Sequence, residues 1–359
     1  MKKTLPWFLT CGLASFTTGC LHPKIGPQAL PRDRSQYSVS LADSWKDLTL
    51  LNIVKVRYLD PPVYVDIGNI VSSYTLTQNA TAGGTINPPG TDSNAILGGS
   101  VSFSNTPTIT FTPLTGSAYI KGLTTPLSTA SVFGAIRDGV PADSILLSSV
   151  QSINGLRNQQ VGLNGIRPAD PEFHRVRELL RDIQLSGLVR LYVKEDASKQ
   201  QSTLMAFRKE NIPPEMQAES AELRRLLHLN PDATEFKLVA APLPSSDTEV
   251  AIVTRSIFGI LASMASEVEV PAEHIAQHRA IPGFESGRTL PDIVPMIRIH
   301  SAKNKPDNSL VTVYYRNTWF WIDDGDLASK RSFMQLMQLF TMADTGPKEN
   351  LPVVTIPSR

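Results

Sequence analysis

Cysteine is almost missing: Cys11 and Cys20 are the two that occur in 359 residues. No disulfide framework and no cysteine-rich metal site is open to such a chain, so its stability has to come from a packed core. A surplus of either charge is missing too, with 34 Lys and Arg against 33 Asp and Glu and a formal net charge of +1. Without a basic surplus there is no electrostatic footing on nucleic acid or on anionic lipid. The apolar stretch at residues 5–16 contains Pro6 and Gly12 and falls well short of the ~20 residues that a membrane-crossing helix needs. No Gly-x-Ser-x-Gly elbow, Ser-x-x-Lys pair, P-loop, dinucleotide fingerprint or solenoid repeat occurs. No motif therefore fixes the geometry of a catalytic group.

What is present begins at the N-terminus. Met1-Lys2-Lys3, the apolar stretch that follows and Thr17-Thr18-Gly19-Cys20 reproduce a charged region, a hydrophobic region and small residues before a cut. The residues before Cys20 resemble the lipobox read by the lipoprotein signal peptidase, with Thr17 where Leu is usual. That likeness implies cleavage after Gly19, a diacylglycerol thioether on Cys20 and acylation of its amine. Cys11 is lost with the leader and Cys20 is capped, which leaves the expected mature chain without a free thiol. Losing Lys2 and Lys3 leaves 32 basic against 33 acidic residues. Leu21, in place of an inner-membrane-retaining Asp, points to the outer membrane, with the protein facing the periplasm.

Hydrophobic residues at 41% and charged residues at 19% describe a globular chain long enough for two domains. The expected organisation is a signal peptide at 1–19, a flexible lipid-anchored tether at 20–39, a domain of helix and long hairpin at 40–167, and an α+β domain at 168–359. Pro23, Pro27 and Pro31 make the tether extended. Ser40 and Asp43 have capping-box spacing ahead of an apolar face that includes Leu48, Leu51, Ile53, Val54 and Tyr58. Residues 63–78 and 95–113 alternate as strands, with a parity switch near Gly68 and Asn69 suggesting a bulge and residues 79–94 reading as a Gly-rich flexible loop. Short helices are expected at 119–123, 131–138 and 142–153. The C-terminal half predicts helices at 170–183, 215–227, 257–266 and 329–342. Its expected strands lie at 189–193, 236–240, 296–300, 310–316 and 319–323, the last two joined tightly at Asn317-Thr318, while 249–254 reads either as another strand or as the start of the 257–266 helix. The class is α+β, with a final β-hairpin followed by an amphipathic helix.

Three groups invite a chemical reading. His274 and His278 have the i, i+4 spacing of a helical zinc pair, but Ile275 follows the first histidine where a general-base Glu would stand. Asp323, Asp324 and Asp326 crowd four residues without the alternate spacing or distal Glu of a calcium loop, and they also suit the start of the 329–342 helix. Tyr314, Tyr315, Trp319, Phe320 and Trp321 could stack on a sugar, though alternation in a hairpin sends about half of them to the core. No metal, cofactor or catalytic residue is assigned. Cys20 is the one residue given a chemistry, lipidation.

The segments 51–58 running into 60–63, 107–114 with 152–156, and 319–324 with 328–331 together resemble a group of uncharacterised proteobacterial envelope lipoproteins. The likeness implies a place in the envelope and carries no activity or catalytic residues. The leading expectation is a non-enzymatic scaffold, assembly factor or complex subunit. Its partners are the membrane, through acylated Cys20, and further copies or another envelope protein; nucleic acid is not one. The alternatives are a periplasmic enzyme or ligand-binding protein acting on envelope polymers, and a component of an oligomeric β-hairpin pore.

Overall fold

The computed structural model describes residues 30–71, 74–85, 94–105, 108–114, 116–162, 165–195, 201–208, 210, 212–282 and 293–343. Cys20 and the expected signal peptide lie outside them. Backbone contacts divide the chain into two compact units, Met1–Leu41 with Asn69–Thr110 and Ala42–Gly68 with Phe111–Arg359.

The chain enters the described region as helix α1, Leu30–Arg57. The tether expected at 20–39 is therefore helical from Leu30 onward, and Ser40, expected as a cap, sits inside the helix. Pro31 at the start has the right φ and no N–H to leave unsatisfied, while Asp33 in the first turn and Lys55 and Arg57 in the last complement the helix dipole. Leu50, Ile53 and Val54 are fully buried, and Leu59 in left-handed conformation (φ 60°) ends the helix before Pro61 and Pro62.

Four strands follow: β1, Tyr64–Val71; β2, Tyr74–Thr85; β3, Asn94–Asn105; and β4, Thr108–Leu114. β1 runs unbroken through Gly68 and Asn69, β1 pairs with β4, and β2 pairs with β3. Residues 79–85, expected as flexible loop, are strand. Cross-strand pairing holds them despite their small, Gly-containing composition.

The second unit is a mixed α+β body. Helices α2 (Gly116–Thr124), α3 (Thr129–Arg137) and α4 (Ala142–Ser149) lead into short strands β5 (Val150–Ile153), β6 (Leu156–Arg157), β7 (Gln160–Gly162) and β8 (Gly165–Arg167). The helix expected at 142–153 thus changes to strand at Val150. Helix α5 (Pro171–Ser186) closes at Gly187 in the left-handed region (φ 65°), as expected. It is followed by β9 (Val189–Glu195), β10 (Gln201–Phe207), α6 (Pro214–Leu226), β11 (Glu235–Val239), β12 (Glu249–Thr254), α7 (Ile257–Ser266) and α8 (Ala272–Ala276). The chain ends in β13 (His300–Ala302), β14 (Ser309–Tyr315), β15 (Thr318–Asp323) and α9 (Leu327–Ala343).

A six-stranded sheet of order β6-β5-β12-β11-β10-β9 organises this unit. Only the β11–β12 pair is parallel. The sheet takes strands from both sides of Pro168, so the boundary expected there falls within one sheet. β12 buries Val250, Ala251 and Ile252 in succession, as an interior strand does. Helix α3 packs across β9, β11 and β12.

Side-chain amides and one guanidinium tie the loops to this sheet. Asn158 donates from Nδ2 to the carbonyls of Leu146, Leu147 and Val150 at 3.1, 2.9 and 2.6 Å. Arg255 is half-buried and donates to the carbonyls of Leu147, Ser148 and Gln159. Burial pulls its pKa down to about 10, and Arg167 adds a smaller push in the same direction.

The strand expected at 296–300 is short and displaced, reduced to His300–Ala302. Met296 and Ile297 give their N–H groups to Glu267 Oε2 at 2.8 and 2.9 Å, and Arg298 N donates to Ser329 Oγ at 2.8 Å. Side chains occupy donors that a sheet ladder would have used.

Candidate functional site

The pairing of β2 with β3 is regular over all twelve rungs, from Tyr74↔Asn105 to Thr85↔Asn94. Directly opposed residues in an antiparallel pair share a face. One face therefore carries Leu76 with Phe103, Gln78 with Val101, Ala80 with Gly99, Ala82 with Leu97 and Gly84 with Ala95. The other carries Thr75 with Ser104, Thr77 with Ser102, Asn79 with Ser100 and Thr81 with Gly98. Gln78, Asn105 and Ile96 are the departures from an otherwise clean separation. Thr77, Asn79, Thr81, Ser100, Ser102 and Ser104 are exposed. Among the described residues neither strand pairs with a second strand, so each has one edge open to the addition of another strand.

This ribbon is also uncharged. Between Asp66 and Lys121 the sequence holds a single charged residue, Asp92. Soluble edge strands are commonly protected from further pairing by Lys, Pro or inward-pointing charge. β2 and β3 contain neither charge nor proline. At the foot of the ribbon, on β4, Ile109 and Phe111 are 41% and 60% exposed. The charge-free run was the available sequence signal for this surface, and reading residues 79–94 as a loop concealed it.

The histidine pair does not assemble. α8 ends at Ala276, and His278 lies beyond it in left-handed conformation (φ 56°), so the two imidazoles do not share a helix face. His274 is buried against Tyr58, whose hydroxyl lies 2.7 Å from Nδ1. Burial, then Arg279 and Arg316, hold its pKa below the ordinary imidazole value, while burial raises Tyr58 to about 12. A protonated phenol donating to a neutral imidazole satisfies both. The Tyr58 ring also meets Tyr315 and Phe320 edge-on, and Arg316 stacks over Tyr58 at 5.0 Å while pairing with Asp60 at 2.9 Å. Tyr315 donates to the same Asp60 carboxylate, which holds its pKa low. This is a clasp joining the end of α1 to α8 and the β14–β15 turn.

The acidic cluster is likewise committed. Asp323 accepts from Gly325 N at 2.7 Å, Asp324 pairs with Lys330 at 2.6 Å, and Asp326 accepts from both Ser329 N and Ser329 Oγ at the start of α9. Among the described residues no group of three or more His, Cys, Asp or Glu is placed to hold a metal ion. Of the expected aromatic platform, Phe320 is fully buried and Tyr315 belongs to the clasp. Tyr314 packs at a 49° tilt on Trp319, ring centres 4.9 Å apart, and lines an open groove of about 410 Å³ between α1 and β14. A second cleft, about 230 Å³, lies among α3, α5 and β9. Neither cleft is lined by the three aspartates.

No described helix is long and apolar enough to cross a membrane. Comparison with known proteins adds no kinship: no protein-family model, curated protein or solved structure matches the chain.

Proposed function

We propose that this protein is a lipid-anchored envelope component that works by assembling with other protein chains rather than by catalysis. The observation that carries the reading is the β2–β3 ribbon, with regular pairing, open edges and no charge to deter addition of further strands. The fate of the polar clusters supports it. His274 is closed off by Tyr58, and the three aspartates are taken up by a turn, a lysine and a helix start. Cys20 supplies the anchor in this reading.

Amine-reactive cross-linking of the full chain in native membranes tests it. A discrete higher-mass species containing this chain, lost when residues 74–105 are replaced by a short polar linker, is the expected result. A chain that stays monomeric at every cross-linker concentration overturns the reading.

A further inference from the structure

The ribbon's dimensions and chemistry allow the partner to be named. Each of β2 and β3 has twelve residues, which at ~3.3 Å per residue gives a ribbon about 40 Å long. Tilted by ~45°, as strands are in membrane barrels, it spans about 28 Å, against an apolar band of ~25 Å on such barrels. A lipid-spanning strand needs about 9–11 residues, fewer than either strand provides.

One face offers Leu76, Phe103, Val101, Ala80, Ala82 and Leu97, while the opposite face offers Thr, Ser and Asn. Charge is the costliest thing to place in hydrocarbon, and neither strand has any. A ribbon that inserts alone would carry its unpaired edge groups into a medium without water, at several kcal/mol for each group. Insertion therefore requires both edges to be paired, and another copy of the chain supplies strands of the same length and the same uncharged composition.

We propose that β2–β3 is one stave of a transmembrane β-barrel built from several copies of this chain. β2 of one copy pairs with β3 of the next. The parity of Leu76, Leu97, Val101 and Phe103 meets acyl chains, and the parity of Thr77, Asn79, Ser100 and Ser102 lines a water-filled lumen. The inference rests on the assembly reading above and adds to it the identity of the partner and the site of insertion.

The test uses the full lipidated chain, purified and added to planar phospholipid bilayers, with two substitutions at neighbouring residues. Stepwise ion conductance is expected from the wild type. Val101→Glu puts a carboxylate on the lipid-facing parity of every copy and is expected to lower conductance more than about ten-fold. Ser102→Glu puts the same group into the lumen and is expected to retain conductance while shifting selectivity toward cations. Unchanged thermal midpoints for both variants establish that the body is folded.

Edge pairing is read separately, by co-expressing chains carrying Asn79→Cys with chains carrying Ser100→Cys. These residues oppose each other within a chain, so a disulfide between the two chains reports contact between copies. Conductance that differs between the variants, together with that disulfide, supports the barrel. A cross-linked oligomer without conductance, or equal behaviour of the two Glu variants, overturns the barrel and leaves the assembly reading standing. Absence of any oligomer overturns both.

Discussion

The β2–β3 ribbon and the six-stranded sheet use the same backbone hydrogen bonds for opposite ends. In the sheet, β12 is flanked on both edges, and Val250, Ala251 and Ile252 are each 2% exposed or less. In the ribbon, each strand pairs with one strand among the described residues, and Thr77, Asn79, Thr81, Ser100, Ser102 and Ser104 are exposed. A two-stranded ribbon is marginal in water by itself, because it gives up chain entropy without burying a face. The sheet is stabilised by what the same chain packs upon it. On the assembly reading proposed above, the ribbon's open strand edges are completed by other chains. If the proposed assembly role holds, stability and function reside in different parts of the molecule, which makes them separable by substitution.

The largest expected effect lies in the sheet. Phe236 on β11 is fully buried, opposite Met205 and edge-on to Phe207 at 5.7 Å. Phe236→Ala should cost about 3–5 kcal/mol in denaturant unfolding, through lost transfer energy and the cavity left behind. A loss below about 1 kcal/mol would break the contrast by showing that this sheet is not the seat of stability.

Much of the sheet-bearing body was legible in the sequence, because its signals are local. The apolar period of α5, closed by Gly187, and the alternation of β14 and β15 are both found where the pattern places them. The hairpin turn shifts by one residue: Arg316 and Asn317, both at positive φ (48° and 63°), form it rather than Asn317 and Thr318. Two positive-φ residues between the strands suit the right-handed strand twist. β10 escaped notice because its alternation is brief, with only Met205 and Phe207 buried. The candidate sites were less legible. Whether His274 or Asp326 is free depends on partners remote in sequence or on capping geometry, Tyr58 in one case and Ser329 in the other. Composition marked residues 79–94 as a loop because of their Thr, Asn and Gly content, while the pairing register carries the strand on through Thr85 and Asn94.

The second effect is a slope with pH and belongs to the body alone. Burial raises the Glu267 carboxyl to about 8 from an ordinary 4.5, partly offset by the N–H groups of Ile297 and Met296. Between those values the folded chain holds a proton that the unfolded chain has released. Stability from this group is therefore fully present below about pH 4.5 and falls as pH rises toward 8, by at most about 1.4 kcal/mol per unit. Glu267→Gln has no proton to release and keeps an acceptor for Met296 and Ile297. Its unfolding free energy, measured by urea titration at several pH values, should be flatter than wild type across that window. An unchanged slope would mean that another group sets the pH dependence.

The smallest expected effect sharpens the contrast most. Gln78 and Val101 are directly opposed, so replacing residues 79–100 with Asn-Gly closes the ribbon by a two-residue turn without disturbing the register of Leu76 with Phe103. None of the described core residues lies in the replaced segment. The thermal midpoint of the shortened chain should stay within about 2 °C of wild type, equivalent to roughly 0.5–1 kcal/mol for a body of this size. Conductance and the amine-reactive cross-link between copies should both vanish, since the remaining strands are too short to span hydrocarbon. A midpoint lowered by more than about 5 °C would make the outer ribbon part of what holds the body together. In that case the open edges would follow from the way this chain folds, and the separation of stability from function would fail.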